Sequence, residues 1–175
     1  MLRKFPRYTA WISHIPNWIG SRESHEAVYR HLLSTGGAGQ VYLVLEDDVT
    51  LPEDIEGVIG TALRERAPAD WDLVRFSCWG RRFSTPVLDN VTADGSVFRT
   101  QPELFFSHKD NNDNKYWFAG GAHAVALRYE ALPRMLKQLA RLDDVSIDAS
   151  ISSFPWDSVR AYCMDEPTVS ADFPS

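Results

Sequence analysis

An apolar run of five residues, Val41-Tyr42-Leu43-Val44-Leu45, stops abruptly at three consecutive acids, Glu46, Asp47 and Asp48. A short run with apolar side chains at both odd and even positions predicts a strand covered on both faces, the pattern of a central parallel strand. Three carboxylates at the end of such a strand repel one another, and the repulsion must be relieved by a cation or by hydrogen-bond donors. Ligands of α/β sheets bind outside the carboxyl ends of the strands. The stretch therefore predicts a cation site at a sheet edge, or else a solvated turn whose acids face water.

The residues around this run supply the rest of an α/β pattern. Upstream, Ser21 is a candidate N-cap and Glu23 suits a first turn; Ala27, Val28, Leu32 and Leu33 have helical spacing. Gly36 and Gly37 stop that helix. Downstream, Pro52, Glu53 and Asp54 open a second helix with the stripe Ile55, Val58, Ile59, Ala62 and Leu63. A strand follows over 72–77. Helix, strand, helix, strand in succession predicts an α/β sheet. Short β pieces over 96–100 and 103–107 then sit in an irregular insert, about 80–116, with the polar loop KDNNDNK at 109–115. A strand over 122–127 runs into a helix marked by Leu132, Met135, Leu136 and Leu139. A last strand over 159–163 precedes a loop tail, and YTAWIS at 8–13 reads as a short strand. The whole chain, 1–175, is expected to form one domain.

Composition narrows the function classes. A net charge of −6 argues against a general nucleic-acid-binding face. Cys78 and Cys163 lack metal-type spacing and are expected to be reduced and buried, which points to the cytoplasm. No apolar run reaches the roughly 18–20 residues of a membrane span. The basic start, MLRKFPRY, has no apolar core of a secretory signal and offers at most a peripheral contact with an anionic surface.

Several stretches, taken in order, resemble glycosyltransferase family 25, the lipooligosaccharide transferases and collagen galactosyltransferases. YLVLEDDVTLPEDI resembles the family's central Glu-Asp-Asp motif. Gly20, Ser24 and His25 match an upstream Gly-x-x-x-Ser-His, with Tyr29 beyond it. DWDLV at 70–74 resembles the following strand. GGAHAVALRYEALPRML resembles a Gly-Thr-x-Gly-Tyr strand leading into a helix, with Arg128 in the usual place. VSIDAS carries a single Asp, Asp148, and DEPTVSADFPS resembles the closing segment. Gly121, His123 and Ala124 stand where the family tends to have Thr, Gly and Tyr. The resemblance implies a type A glycosyltransferase-like (Rossmann-like) mixed sheet flanked by helices, shortened at the N-terminus.

The resemblance also implies roles. Glu46 and Asp48 would hold Mn²⁺ or Mg²⁺ against the diphosphate of a nucleotide-sugar donor, with Asp48 the first-choice ligand. Asp47 would hydrogen-bond ribose. Asp148 is the implied general base for an inverting transfer, with Asp144 the runner-up. His25 would orient the donor or the acid loop, Gly120 and Gly121 would let the backbone approach a ligand closely, and His123 would contact phosphate or metal. Trp117 and Phe118 are candidate stacking platforms, and Trp79, Arg81 and Arg82 flank the insert. The implied reaction moves a hexose such as galactose from a UDP-sugar to a glycan or lipooligosaccharide acceptor in polysaccharide biosynthesis.

Each residue has a plainer reading. The acids can be solvated turn residues, Asp148 a helix cap, and His25 and His123 packed, hydrogen-bonded side chains. Two other functions fit the same features: an inactive sugar- or nucleotide-binding domain of this fold, and a metal-dependent phosphoesterase. The latter normally needs more converging ligands than are evident here.

Overall fold

The computed structural model describes residues 16–76, 78, 88–100, 121–142, 146–165 and 169–171. Asp144, Gly120, YTAWIS, the piece over 103–107, the loop at 109–115, Trp79, Arg81, Arg82, Trp117 and Phe118 lie outside the described residues.

The elements are α1 (Pro16–Thr35), β1 (Val41–Leu45), β2 (Val49–Thr50), α2 (Ile55–Glu65), β3 (Leu73–Phe76), β4 (Leu88–Asn90), β5 (Val97–Thr100), β6 (Ala124–Arg128), α3 (Leu132–Leu139), α4 (Ile147–Ser152), β7 (Ala161–Met164) and β8 (Ser170–Ala171). Among the described residues six strands form one mixed sheet in the order β1-β6-β3-β7-β5-β4, with β3 and β7 parallel. The small strands β2 and β8 pair separately. The tail expected to be all loop thus contributes a strand.

Alternation along the strands divides the core into two layers. Leu73, Val125 and Leu127 pack with Tyr29, Leu132, Met135, Leu139, Ile147, Ile151 and Phe154, under α1, α3 and α4. Val74, Phe76, Ala124, Ala126 and Met164 pack on the other face with Ile59 and Ala62 of α2. The fold is therefore α/β, a mixed sheet flanked by helices.

Three local expectations are corrected. β1 is the end strand of the described sheet and runs antiparallel to β6; it is not a central parallel strand. Its apolar run has another cause. Tyr42 and Val44 pack into one layer and Leu43 into the other, so side chains of both faces find apolar partners although β1 is the end strand among the described residues. Ser21 is not a cap, because α1 begins five residues earlier at Pro16 and Ser21 lies within it. The cap of α4 is Ser146, which accepts from the Ala149 N–H, so Asp148 is not the cap. The cap of α2 does fall on the expected acids: Asp54 accepts from the Gly57 N–H.

The cysteines are also corrected. Cys78 and Cys163 are both buried, but they are joined in a disulfide, with Cα atoms 5.9 Å apart. Pairing of β3 with β7 puts the two chain segments side by side, although 85 residues separate the cysteines. The bridge removes the ground on which a cytoplasmic placement rested. Among the described residues no helix is long and apolar enough to cross a membrane.

Helix α1 is tied to α3 by a charge. Arg22 is buried and donates to the carbonyls of Leu139, at 2.5 Å, and Leu142. These carbonyls lie at and just past the helix end, where a cation is favoured.

Candidate functional site

Because β6 runs against both β1 and β3, strands β1, β3 and β7 share one direction. The acids that follow β1 therefore do sit at the carboxyl edge of those strands. The Glu46 N–H donates to the His123 carbonyl at 2.8 Å, which continues the β1–β6 ladder by one residue. Glu46 and His123 are thus neighbours across two strands. By alternation both fall on the face of Val44 and Val125, and Arg75 falls on the same face of β3 beside Val125. Three adjacent strands present Glu46, His123 and Arg75 towards α1 and α4.

Helix α1 answers with Ser21, His25 and Tyr29, spaced four apart and so on one side of the helix. The Ser21 hydroxyl donates to Glu46 Oε1 at 2.8 Å, and His25 Nε2 lies 3.1 Å from the same oxygen. His25 Nδ1 lies 3.1 Å from the Tyr29 hydroxyl. The hydrogen bond from His25 does most to hold the Glu46 carboxyl below its ordinary range. The Ser21 bond and the charges of His25 and His123 help, against a desolvation penalty. An ionised Glu46 can only accept, so His25 Nε2 carries a proton. Burial pushes the Tyr29 phenol up, which keeps it a donor.

Asp148 enters from the first turn of α4. Its Oδ1 accepts the Gly121 N–H at 2.7 Å, and the side chain is only half-buried. Gly121 has φ +101, and a Cβ there would come within 3.0 Å of the His123 ring and 3.3 Å of the Cys78 Cα. A side chain at this position would be strained and crowded, so glycine is required for the amide to reach Asp148. His123 is 3% exposed, and its Nε2 is buried with no hydrogen-bond partner. Burial pushes its pKa down, opposed by the charges of Glu46, Asp148 and Asp48 and assisted by Arg75. A buried ring nitrogen without a partner is rare in native proteins, and this one feels the charges of three carboxylates.

The structure thus brings together Glu46, His25, Gly121, His123 and Asp148. Asp47 and Asp48 occupy the exposed turn between β1 and β2. Sequence reading missed Ser21 as a Glu46 partner, Tyr29 as a polar group, and Arg75 altogether. The Arg75 signal was present: an arginine inside the apolar run Leu73, Val74, Phe76.

A divalent ion can be tested against these donors. Among the described residues no group of three or more His, Cys, Asp or Glu is placed to hold a metal by itself. Glu46 Oε1 is already taken by Ser21 and His25, whereas Asp48 is exposed. Carboxylate oxygens are the donors that hard ions such as Mg²⁺ and Mn²⁺ prefer, but no described arrangement of them holds an ion by itself. The set does not fit a metal enclosed by protein ligands.

Comparison with known proteins gives no match: no family model matches the chain, and neither a curated protein nor a solved structure matches it.

Two depressed groups of the site contribute to the response of stability to acid, alongside Asp94, lowered by its bond from Thr92, and Glu130, lowered by its bond from the Gly39 N–H. Unfolded, His123 returns to about 6.5, so below that value the unfolded chain binds more protons than the folded one and stability falls. Glu46 contributes stability above its unfolded value of about 4.5, which is lost as pH drops through its lower folded value. With a chelator present, the melting temperature should fall in a first stage below pH 6.5 and again below 4.5. His123→Gln should flatten the first stage and Glu46→Gln reduce the second. A wild-type melting temperature constant from pH 7.5 to 5.5 would contradict the first assignment.

Proposed function

We propose that the chain is a metal-assisted, inverting glycosyltransferase of the type A fold, similar to family 25, moving a hexose from a nucleotide-sugar donor to a glycan acceptor. One observation carries this reading. Asp148, singled out by its place in the chain, meets the Glu46 and His123 edge with one carboxyl oxygen fixed by Gly121.

Inverting transfer needs a carboxylate that is oriented yet reachable. Gly121 fixes Asp148 through Oδ1, and the second oxygen is the one to take the proton of the acceptor hydroxyl. That proton leaves as the acceptor oxygen bonds to the anomeric carbon and the sugar–phosphate bond breaks. Asp48, assisted by Glu46, would hold Mn²⁺ or Mg²⁺, and Asp47 the ribose. Bound there, the ion supplies charge neutralisation for the departing nucleoside diphosphate. Ser21, His25 and Tyr29 hold Glu46 ionised and in one orientation. His123 Nε2, with no hydrogen-bond partner among the described residues, is the group to meet the donor.

A cytoplasmic placement is not carried forward, since a Cys78–Cys163 bridge persists best in an oxidising compartment. The test is product formation from a panel of nucleotide sugars and simple glycan acceptors with Mn²⁺. Transfer from one donor is expected. Donor binding without transfer to any acceptor would leave a sugar-nucleotide-binding domain instead, and release of phosphate from model diesters without transfer would favour a phosphoesterase.

A further inference from the structure

Arg75 is a charged residue inside the core. It is 2% exposed and ranks among the largest fully buried side chains. It sits on β3 between Val125 of β6 and Cys163 of β7, on a strand whose other residues are all apolar. Burial pulls its pKa down to about 10, with Asp148 the leading opposing charge, so it stays cationic at neutral pH. A buried cation carries a large desolvation penalty unless it is paired. Fastening α4 to the sheet does not require it, because Ile147 and Ile151, each 1% exposed, already pack that helix into the core.

Two of its contacts point elsewhere. Nη2 donates to the Ser152 hydroxyl at 3.2 Å, and Nη1 faces the Asp148 carbonyl at 3.5 Å. Residues 148 and 152 are one helical turn apart, so the guanidinium spans a single face of α4. The same turn carries the Asp148 carboxyl to the Gly121 N–H. At 3.5 Å the carbonyl contact is weak as a hydrogen bond and acts mainly through charge.

We propose that Arg75 is a positioning residue for Asp148: its guanidinium fork sets the turn of α4 so that the carboxyl seats on the Gly121 amide. What this means for catalysis rests on the reading of Asp148 as the base; the positioning itself does not. Planar, two-pronged geometry explains an arginine here, since a lysine ammonium would hold one partner at a time.

The Gly121 amide proton reports the seat directly. Hydrogen exchange is followed by NMR on the full chain, with Asp148→Ala giving the rate for the released amide. Arg75→Met should raise Gly121 exchange by about tenfold, the scale of one lost hydrogen bond, while the Val125 and Leu127 amides keep their protection. Arg75→Lys should recover part of the protection. Unchanged exchange at Gly121 in a folded Arg75→Met chain would overturn the proposal. If that variant does not fold, Ser152→Ala and Arg75→Lys decide: each should raise Gly121 exchange by a smaller factor, and no change in either overturns it. The readout needs neither donor nor acceptor, so absence of transfer leaves it intact. Where transfer is measurable, Arg75→Lys should lower kcat with the donor KM unchanged.

Discussion

Replacing Asp148 with asparagine should leave the chain folded and able to bind a nucleotide-sugar donor, and should lower transfer by about 10²–10⁴-fold in kcat. The substitution is nearly isosteric. Its side-chain oxygen can still accept the Gly121 N–H, which now holds Oδ1 at 2.7 Å. Ser146, not Asp148, caps α4, so the helix loses no cap. What disappears is the ability to accept the acceptor's proton. The expected pattern is therefore a fall in kcat with donor affinity and melting temperature near wild type. An Asp148→Asn chain with full transfer would remove Asp148 from the role of base.

The second large effect is expected at Asp48. Asp48→Ala should weaken UDP binding measured with Mn²⁺ by about 100-fold or more, since a metal–oxygen contact worth several kcal/mol is lost. Asp48 is exposed in the turn between β1 and β2, so truncating it should change stability by no more than about 0.5 kcal/mol. Chelation of the wild type should produce the same weakening, and the variant should be insensitive to chelation. Glu46→Ala is a poorer probe. It also removes the acceptor of Ser21 and His25, and so mixes loss of a ligand with loss of a buried network. UDP binding that is equally tight with and without Mn²⁺ would detach the acids from the donor.

What the sequence made legible was local. The apolar stripe of α2, its acidic start and the strand over Leu73–Phe76 follow from periodicity and capping, and they form as expected. The carboxyl-edge position of Glu46 was also readable, because strand polarity follows from chain direction once a helix intervenes. Sheet order was not. Nothing in Val41–Leu45 says that its partner is β6 and that no described strand lies beyond it, since apolar side chains on both faces report coverage by helices and not centrality. The disulfide was hidden for a related reason: pairing of β3 with β7 is a long-range event with no local signature.

Ser21, His25 and Tyr29 show the middle case. Their spacing of four was in the sequence, but its meaning depends on which strand end the helix face covers. Arg75 was the clearest missed signal, because a charge inside a fully buried strand marks a local conflict that functional sites tend to carry.

A donor seat at the carboxyl edge of β1 and β3 can be detected by thermal shift. The chain would be melted with a panel of nucleotide sugars at millimolar concentration, each with and without Mn²⁺, beside Asp48→Ala. At least one UDP-sugar should raise the melting temperature of the wild type only when Mn²⁺ is present, and Asp48→Ala should lose this shift. A folded wild-type chain whose melting temperature responds to none of the nucleotides, with or without the metal, would contradict the donor seat.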